Sequence, residues 1–225
     1  MILDIIERSY YLWLMRKGDR TREAIVNQAL DLATVRGLEA LSIGALAAET
    51  GMSKSGLFAH FGSKEALQLA VLEAASALFS AQVIKPSHAE RRGLRRLIAL
   101  VENWLHWANS ETLSGGCPFV AAQVEWDDRE GPVRDYLVWA QQSWLGVLAA
   151  AAEKAVAQSD FRDDLNPRAF AHDVYAIALG YHNAQRLLRD PKAGSYARDA
   201  FRRLLKDARE GAPRAVASAA SVATH

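Results

Sequence analysis

Residues Leu41 to Leu67, LSIGALAAETGMSKSGLFAHFGSKEAL, decide the fold. The stretch reads as a helix, a tight turn, a short helix and the opening of a third. Ser42 has the short acceptor side chain of an N-cap, and Ile43, Leu46 and Ala47 recur at helical spacing as a buried stripe. Gly51 falls where the chain must turn sharply, since glycine takes positive φ without a Cβ clash. Ala47 and Gly51, four residues apart, give the small-residue spacing of a close helix crossing. Ser53 caps the next helix, expected from Lys54 to about His60 with Leu57 and Phe61 inward. That leaves Ser53, Lys54, Ser55, Gly56, Phe58 and His60 facing outward, as on the reading helix of a helix-turn-helix. Gly56 on an exposed helix face costs about 1 kcal/mol, which makes sense where something must approach the backbone. Lys64 at a helix start opposes the macrodipole, but toward a phosphate the two act together.

From Thr21 to Leu72 the chain resembles the DNA-binding domain of the TetR/AcrR family of bacterial regulators. The matching residues are Ala24, Ile25, Ala29, Gly37, Ser42, Ile43, Ala47, Gly51, Ser53, Leu57, His60, Phe61, Lys64 and Leu67. The family usually carries Tyr where this chain has Phe58, so one phosphate contact is missing from the expected set. The resemblance covers about a quarter of the chain; beyond it the likeness is loose, although GGCPF at Gly115–Phe119 is similar to a segment of one group of these regulators. It implies an effector pocket in the second half and a dimer built from the last two helices.

The chain of 225 residues is half apolar, enough for a sizeable core without disulfides. Cys117 is the only cysteine, which excludes an intramolecular disulfide and suits a reducing cytoplasm. Net charge is +1, so the composition alone does not announce a nucleic-acid binder. The distribution is more telling: Lys54, His60 and Lys64 lie in a stretch free of acidic residues between Glu49 and Glu65, and Arg16, Lys17, Arg20 and Arg22 form a basic arm before the first helix. A modest non-specific affinity and a shallow salt dependence follow, with recognition resting on a few placed contacts. Residues 1–14, MILDIIERSYYLWL, form an atypical N-terminal extension, too short to span a bilayer and lacking the features of a signal peptide. Met15 opens an ordinary start for a protein of the resembled family, and no membrane role is expected.

Helical periodicity predicts a first helix over Thr21–Arg36, with Ile25, Ala29, Leu32 and Ala33 inward and Gly37 as its stop. A long helix runs from Lys64 to about Ile84, where Pro86 ends it. Further helices are expected over Arg91–Ala108, Pro118–Trp126, Pro132–Gln158, Pro167–Asp190 and, capped by Ser195, to about Arg209. No run reads as a strand. The fold class is all-α: an N-terminal three-helix helix-turn-helix domain over 15–66, joined by a long helix to a C-terminal helical ligand-binding and dimerisation domain over 67–210. Residues 211–225, rich in Ala and Ser, form a disordered tail.

Five of the six Trp fall between Trp104 and Trp144, which suggests a roomy aromatic interior. Trp104, Trp107, Phe119, Trp126, Trp139 and Tyr175 are the expected effector-pocket lining, set against the simpler reading that each is core. Two-faced apolar helices late in the chain, with the resemblance, place Tyr181, Phe201, Leu204 and Leu205 at a homodimer interface. Asp127, Asp128 and Glu130 read as a solvated loop before a cation site. Cys117 reads as a small buried residue before an oxidation sensor. Neither a phosphate loop, a nucleophile elbow nor a metal-ligand pair on one helical turn is present, so no enzyme and no cofactor is expected.

The expected function is a cytoplasmic, sequence-specific repressor released from a near-palindromic operator by a small apolar or aromatic effector. Ser42, Phe58, His60 and Lys64 would lie near phosphates of double-stranded DNA, with Ser53 and Gly56 at the groove and Lys54 and Ser55 reading base edges. The alternative class is a helical small-molecule-binding protein or enzyme carrying the helix-turn-helix as a relic.

Overall fold

Caps and turn residues set the helix boundaries in the computed structural model, which describes residues 17–210. The expected extension over 1–14, the start at Met15, Arg16 and the tail over 211–225 lie outside the described residues. Helix α1 spans Lys17–Arg36, α2 Ile43–Thr50 and α3 Lys54–Phe61. Helix α4 spans Lys64–Phe79 and continues through a π-helical turn, Ser80–Ile84, into a single α-helical turn, α5, Lys85–Ser87. The C-terminal part holds α6 (Leu94–Trp107), α7 (Pro118–Trp126), α8 (Pro132–Ala157), α9 (Pro167–Arg186) and α10 (Ala193–Arg209). Among the described residues there is no strand.

The three N-terminal helices close around α4. Leu67, Val71, Leu72 and Ala75 on α4 are almost wholly buried, against Ile25, Val26, Ala29, Leu30 and Ala33 of α1 and Leu46 and Leu57 of the reading unit. Gln68, also buried, donates its Nε2 to the Leu38 carbonyl at 2.9 Å, fixing the α1–α2 link to α4. The stretch Lys64–Ser87 has the length and hydropathy of a membrane span. Here that apolar surface packs against α1, α6 and α8 and serves as the spine of the molecule.

Helix α1 begins at Lys17, not Thr21, so Lys17, Arg20 and Arg22 lie on the helix rather than on an arm ahead of it. Four further boundaries differ from the sequence expectation, each for a local reason. Pro86 does not end the long helix: the wider π turn before it, in which the Lys85 N–H bonds the Ser80 carbonyl, clears the carbonyl that a proline ring would strike. Helix α6 starts at Leu94, because Gly93 has φ 92° and cannot be helical. Helix α9 stops at Arg186: the Asn183 carbonyl accepts from both Leu187 and Leu188, and Arg189 is left-handed at φ 52°. Ser195 is not the cap of α10; its hydroxyl donates back to the Lys192 carbonyl at 2.8 Å inside the first turn.

Two parts of the chain meet at a tight seam. The loop after α6 lays its backbone on α1, with the Ser114 N–H donating to Asp31 Oδ1 at 2.8 Å and the Gly115 N–H to Thr34 Oγ1 at 2.8 Å. A Cβ at Gly115 would overlap the Thr34 carbonyl, so only glycine permits this approach. By contrast a Cβ at Gly146, on the outer side of α8, meets nothing within 4 Å.

This contrast gives a stability test. Gly115→Ala should destabilise by about 1–3 kcal/mol through overpacking, lowering Tm by about 2–4 °C per kcal/mol, whereas Gly146→Ala should leave Tm unchanged or raise it. Thermal melts of the two variants beside the wild type check both.

Candidate functional site

The reading unit is built from its caps outward. Ser42 sits in extended geometry and its Oγ accepts the Ala45 N–H at 3.1 Å; Ser53 does the same for Gly56 at 3.1 Å. Gly51 links α2 to α3 at φ 67°, yet a Cβ there would meet nothing within 4 Å. The left-handed turn therefore requires glycine; the close helix crossing expected from the Ala47–Gly51 spacing does not. Gly56 is constrained instead by Ser53, whose Oγ lies 3.1 Å from where its Cβ would be.

With Leu57 and Phe61 buried, α3 turns Ser53, Lys54, Ser55 and Phe58 to solvent, while Gly56 and His60 are half-buried. Phe58 is 58% exposed, a large apolar ring in open solvent on the face expected to read DNA. Such a ring can offer apolar contact to a base or sugar but no hydrogen bond. Lys54 has no ion-pair partner among the described residues, and its stem passes Gly44 of α2. Lys64 is differently placed. Its Nζ donates to Glu39 Oε1 at 2.8 Å, and Arg129, just beyond α7, holds the other Glu39 oxygen at 2.8 Å. The Lys64 bond holds the Glu39 carboxyl below its ordinary range against a small opposing cost of burial, and Arg129 adds to it. The Glu39 backbone N–H in turn donates to Glu125 Oε2 of α7 at 2.8 Å. One residue of the α1–α2 link thus joins Lys64 to the C-terminal half.

In that half the aromatic residues do not gather around one space. Phe79, at the start of the π turn, makes edge contacts with Trp107 and Trp144 at 5.0 Å each and with Phe119 at 6.4 Å, a packed cluster. Trp126 lies under the Arg129 guanidinium at 5.1 Å, in the seam. Trp139 is 40% exposed and packs on Tyr136. Tyr175 donates its hydroxyl to Gln123 Oε1 at 2.8 Å, and burial pushes its phenol well above the ordinary range. The cleft lies elsewhere, between α6, α8, α9 and α10, and is lined by Val101, Trp104, Leu105, Trp144, Val174 and Phe201 among others. Its empty space is about 340 Å³ counting the open mouth. Of the six expected lining residues only Trp104 belongs to it, because helical spacing marks which residues point inward but not which interior gap they meet.

The expected interface residues are likewise inside the subunit. Tyr181, Phe201 and Leu205 are buried in the protomer, Phe201 in the cleft wall, and Leu204 is half-buried at the edge. The outer face of α9 carries Ala169, Ala176 and Gly180, followed by Leu187 and Leu188, with Tyr196 of α10 also exposed. Cys117 is fully buried and burial pushes its thiol up to about 12, the opposite of a reactive thiolate. Among the described residues no three His, Cys, Asp or Glu side chains converge as a metal site would require.

Asp31, Thr34, Glu39, Gly115, Glu125 and Arg129 went unread in the sequence as a unit. The one signal present was GGCPF at Gly115–Phe119, which carries a resemblance to a family segment and not a docking point.

Residues 25–71 match the family described as bacterial regulatory proteins, tetR family, and residues 93–201 match a tetracyclin repressor-like C-terminal domain. A TetR transcriptional regulator from Chloroflexus aurantiacus superposes with a TM-score of 0.76 at 26% identity, over 85% of this chain and 96% of that one. A TetR-family regulator from Cytophaga hutchinsonii gives 0.76 at 22% identity with the same coverage, 85% and 96%. The structure of AibR in complex with isovaleryl coenzyme A and operator DNA gives 0.60 at 23%, over 72% of this chain and 85% of that one. No protein of curated function matches the chain significantly. With both halves matched in order and the same fold in these relatives, the chain belongs to the TetR family of DNA-binding transcriptional regulators.

Proposed function

We propose that this regulator is a cytoplasmic homodimeric repressor that leaves a near-palindromic operator when a small, largely apolar effector enters its C-terminal domain. No catalytic role is proposed. The carrying observation is the pairing of an outward-facing α3 with an apolar cleft in a domain seamed to it through Glu39 and Gly115. Lys54 and Ser55 read base edges; Ser42, Phe58, His60 and Lys64 hold register at phosphates and sugars. Having one long polar side chain on the face, the protein leans on DNA shape as well as direct contact. An effector can release DNA only by favouring a state with the wrong half-site spacing. Helix α4 and the α1 seam both carry such a displacement, since each joins the domains. AibR, crystallised with an acyl-coenzyme A and operator DNA, supports a regulator of this kind.

Protection of genomic fragments should reveal a near-palindromic site with half-sites about 34–36 Å apart, or a multiple of that spacing. Lys64→Ala should weaken all sites alike and lower the salt slope by about 0.9 per lost phosphate contact. Lys54→Ala should relax preference at one base position, and Phe58→Tyr should tighten every site by restoring a hydroxyl donor. Binding that is independent of sequence and unmoved by Lys54→Ala and Lys64→Ala would overturn the reading.

The dimer is assigned to the outer face of α9, where Ala169, Ala176 and Gly180 allow a second copy to come close. Gly180→Trp tests it without disturbing the protomer, since that position opens on empty space. Sedimentation should show monomers, and operator affinity should fall sharply as the two half-sites cease to act together. A dimer that survives the change would move the interface elsewhere.

A further inference from the structure

Two walls of the cleft are joined at its edge by an ion pair. Val101 and Leu105 of α6 and Ala197 and Phe201 of α10 line the cleft, and Glu102 and Arg198 come from the same turns of the same helices. Arg198 Nε donates to both Glu102 oxygens at 3.1 and 2.9 Å, and a terminal nitrogen lies 2.9 Å from Oε2. This side-on fork is the geometry in which a guanidinium grips any carboxylate. Tyr181, stacked edge-on against the cleft residue Trp104 at 5.8 Å, sits close enough to Arg198 to feel its charge. The rim thus offers a guanidinium held by one carboxylate. Both members of the pair are nearly half exposed, at 46% and 42%, so their mutual attraction contributes little and is readily exchanged.

We propose that Arg198 is the effector's anchor: the ligand is a compact apolar carboxylate whose chain or ring enters the cleft and whose carboxylate displaces Glu102 from Arg198. The inference rests on the effector reading above and adds the chemical class. The cleft walls are almost wholly apolar, so the body of the ligand must be apolar; because the 340 Å³ counts the open mouth, the enclosed space is small and a chain or ring enters only as α6 and α10 part. Glu102 holds the anion position on Arg198, and so weak a pair gives way to a competing carboxylate. Its release on binding frees α6 from α10, and α6 leads directly into the loop that docks Gly115 on α1.

Trp104 and Trp144 line the cleft, so tryptophan fluorescence reports occupancy. Hexanoate, octanoate and 3-phenylpropionate are titrated into the full-length protein beside their amides and hexyltrimethylammonium. The acids should bind at least about tenfold more tightly than the amides, the advantage of a charge-assisted bond. Arg198→Met should erase that preference. Glu102→Gln should strengthen acid binding severalfold by removing the competing charge, an outcome that a merely structural ion pair would not give. Acids that bind no better than amides, or a preference that survives Arg198→Met, would overturn the carboxylate class while leaving the cleft as an effector site. A preference for the ammonium that Glu102→Gln abolishes would reassign the rim to cations. Fluorescence unmoved by every probe would overturn the cleft itself as the effector site, and the carboxylate class with it.

Discussion

Two backbone N–H groups, those of Ser114 and Gly115, make one body of what would otherwise be a reading unit and a helical bundle sharing a helix. They reach Asp31 and Thr34 on α1 because position 115 has no side chain, and the overlap that any other residue would create leaves no room for adjustment. With the loop seated, Glu125 and Arg129 of the following segment come within reach of Glu39, and Glu39 in turn reaches Lys64. A polar chain of this kind is sensitive to small displacements, because charge-assisted bonds lose strength quickly with distance and angle.

The spine, α4, responds to a different constraint. Its N-terminal turns are locked by Leu67, Val71, Leu72 and Ala75, and its C-terminal end is wound as a π turn where Asn103 of α6 donates to the Val83 carbonyl at 3.1 Å. A π turn stores an extra residue in the helix and exposes carbonyls to outside donors. In this molecule it lies between the aromatic cluster at Phe79 and the start of α6. The spine is therefore a regular α-helix where it carries the helix-turn-helix and wound as a π turn where it meets the C-terminal domain.

The aromatic residues divide by task. Phe79, Trp107 and Phe119 fill space in the core, Trp126 shields Arg129 in the seam, and Trp104 and Trp144 face the cleft. Trp144 does two of these, touching Phe79 on one side and the cleft on the other. The proposed effector, set against that ring, would press on Phe79, from which the π turn begins, a second route from cleft to spine through packing.

The sequence by itself determined the all-α class, most helix boundaries to within a few residues, and the caps and turn of the helix-turn-helix. Those features are local: Ser42, Ser53 and Asn166 cap within three residues, and Gly51 turns within one. It also led through a family resemblance to the DNA-binding class, because a helix-turn-helix carries its function in a short continuous segment. Only the tertiary structure decided which aromatic residues share a cavity, that Tyr181, Phe201 and Leu205 are spent inside the protomer, and that Lys64 is held by Glu39. Periodicity reports that a side chain points inward but is silent on which neighbour it meets. A contact such as Gly115 on Thr34, 81 residues apart, leaves no trace in either segment alone.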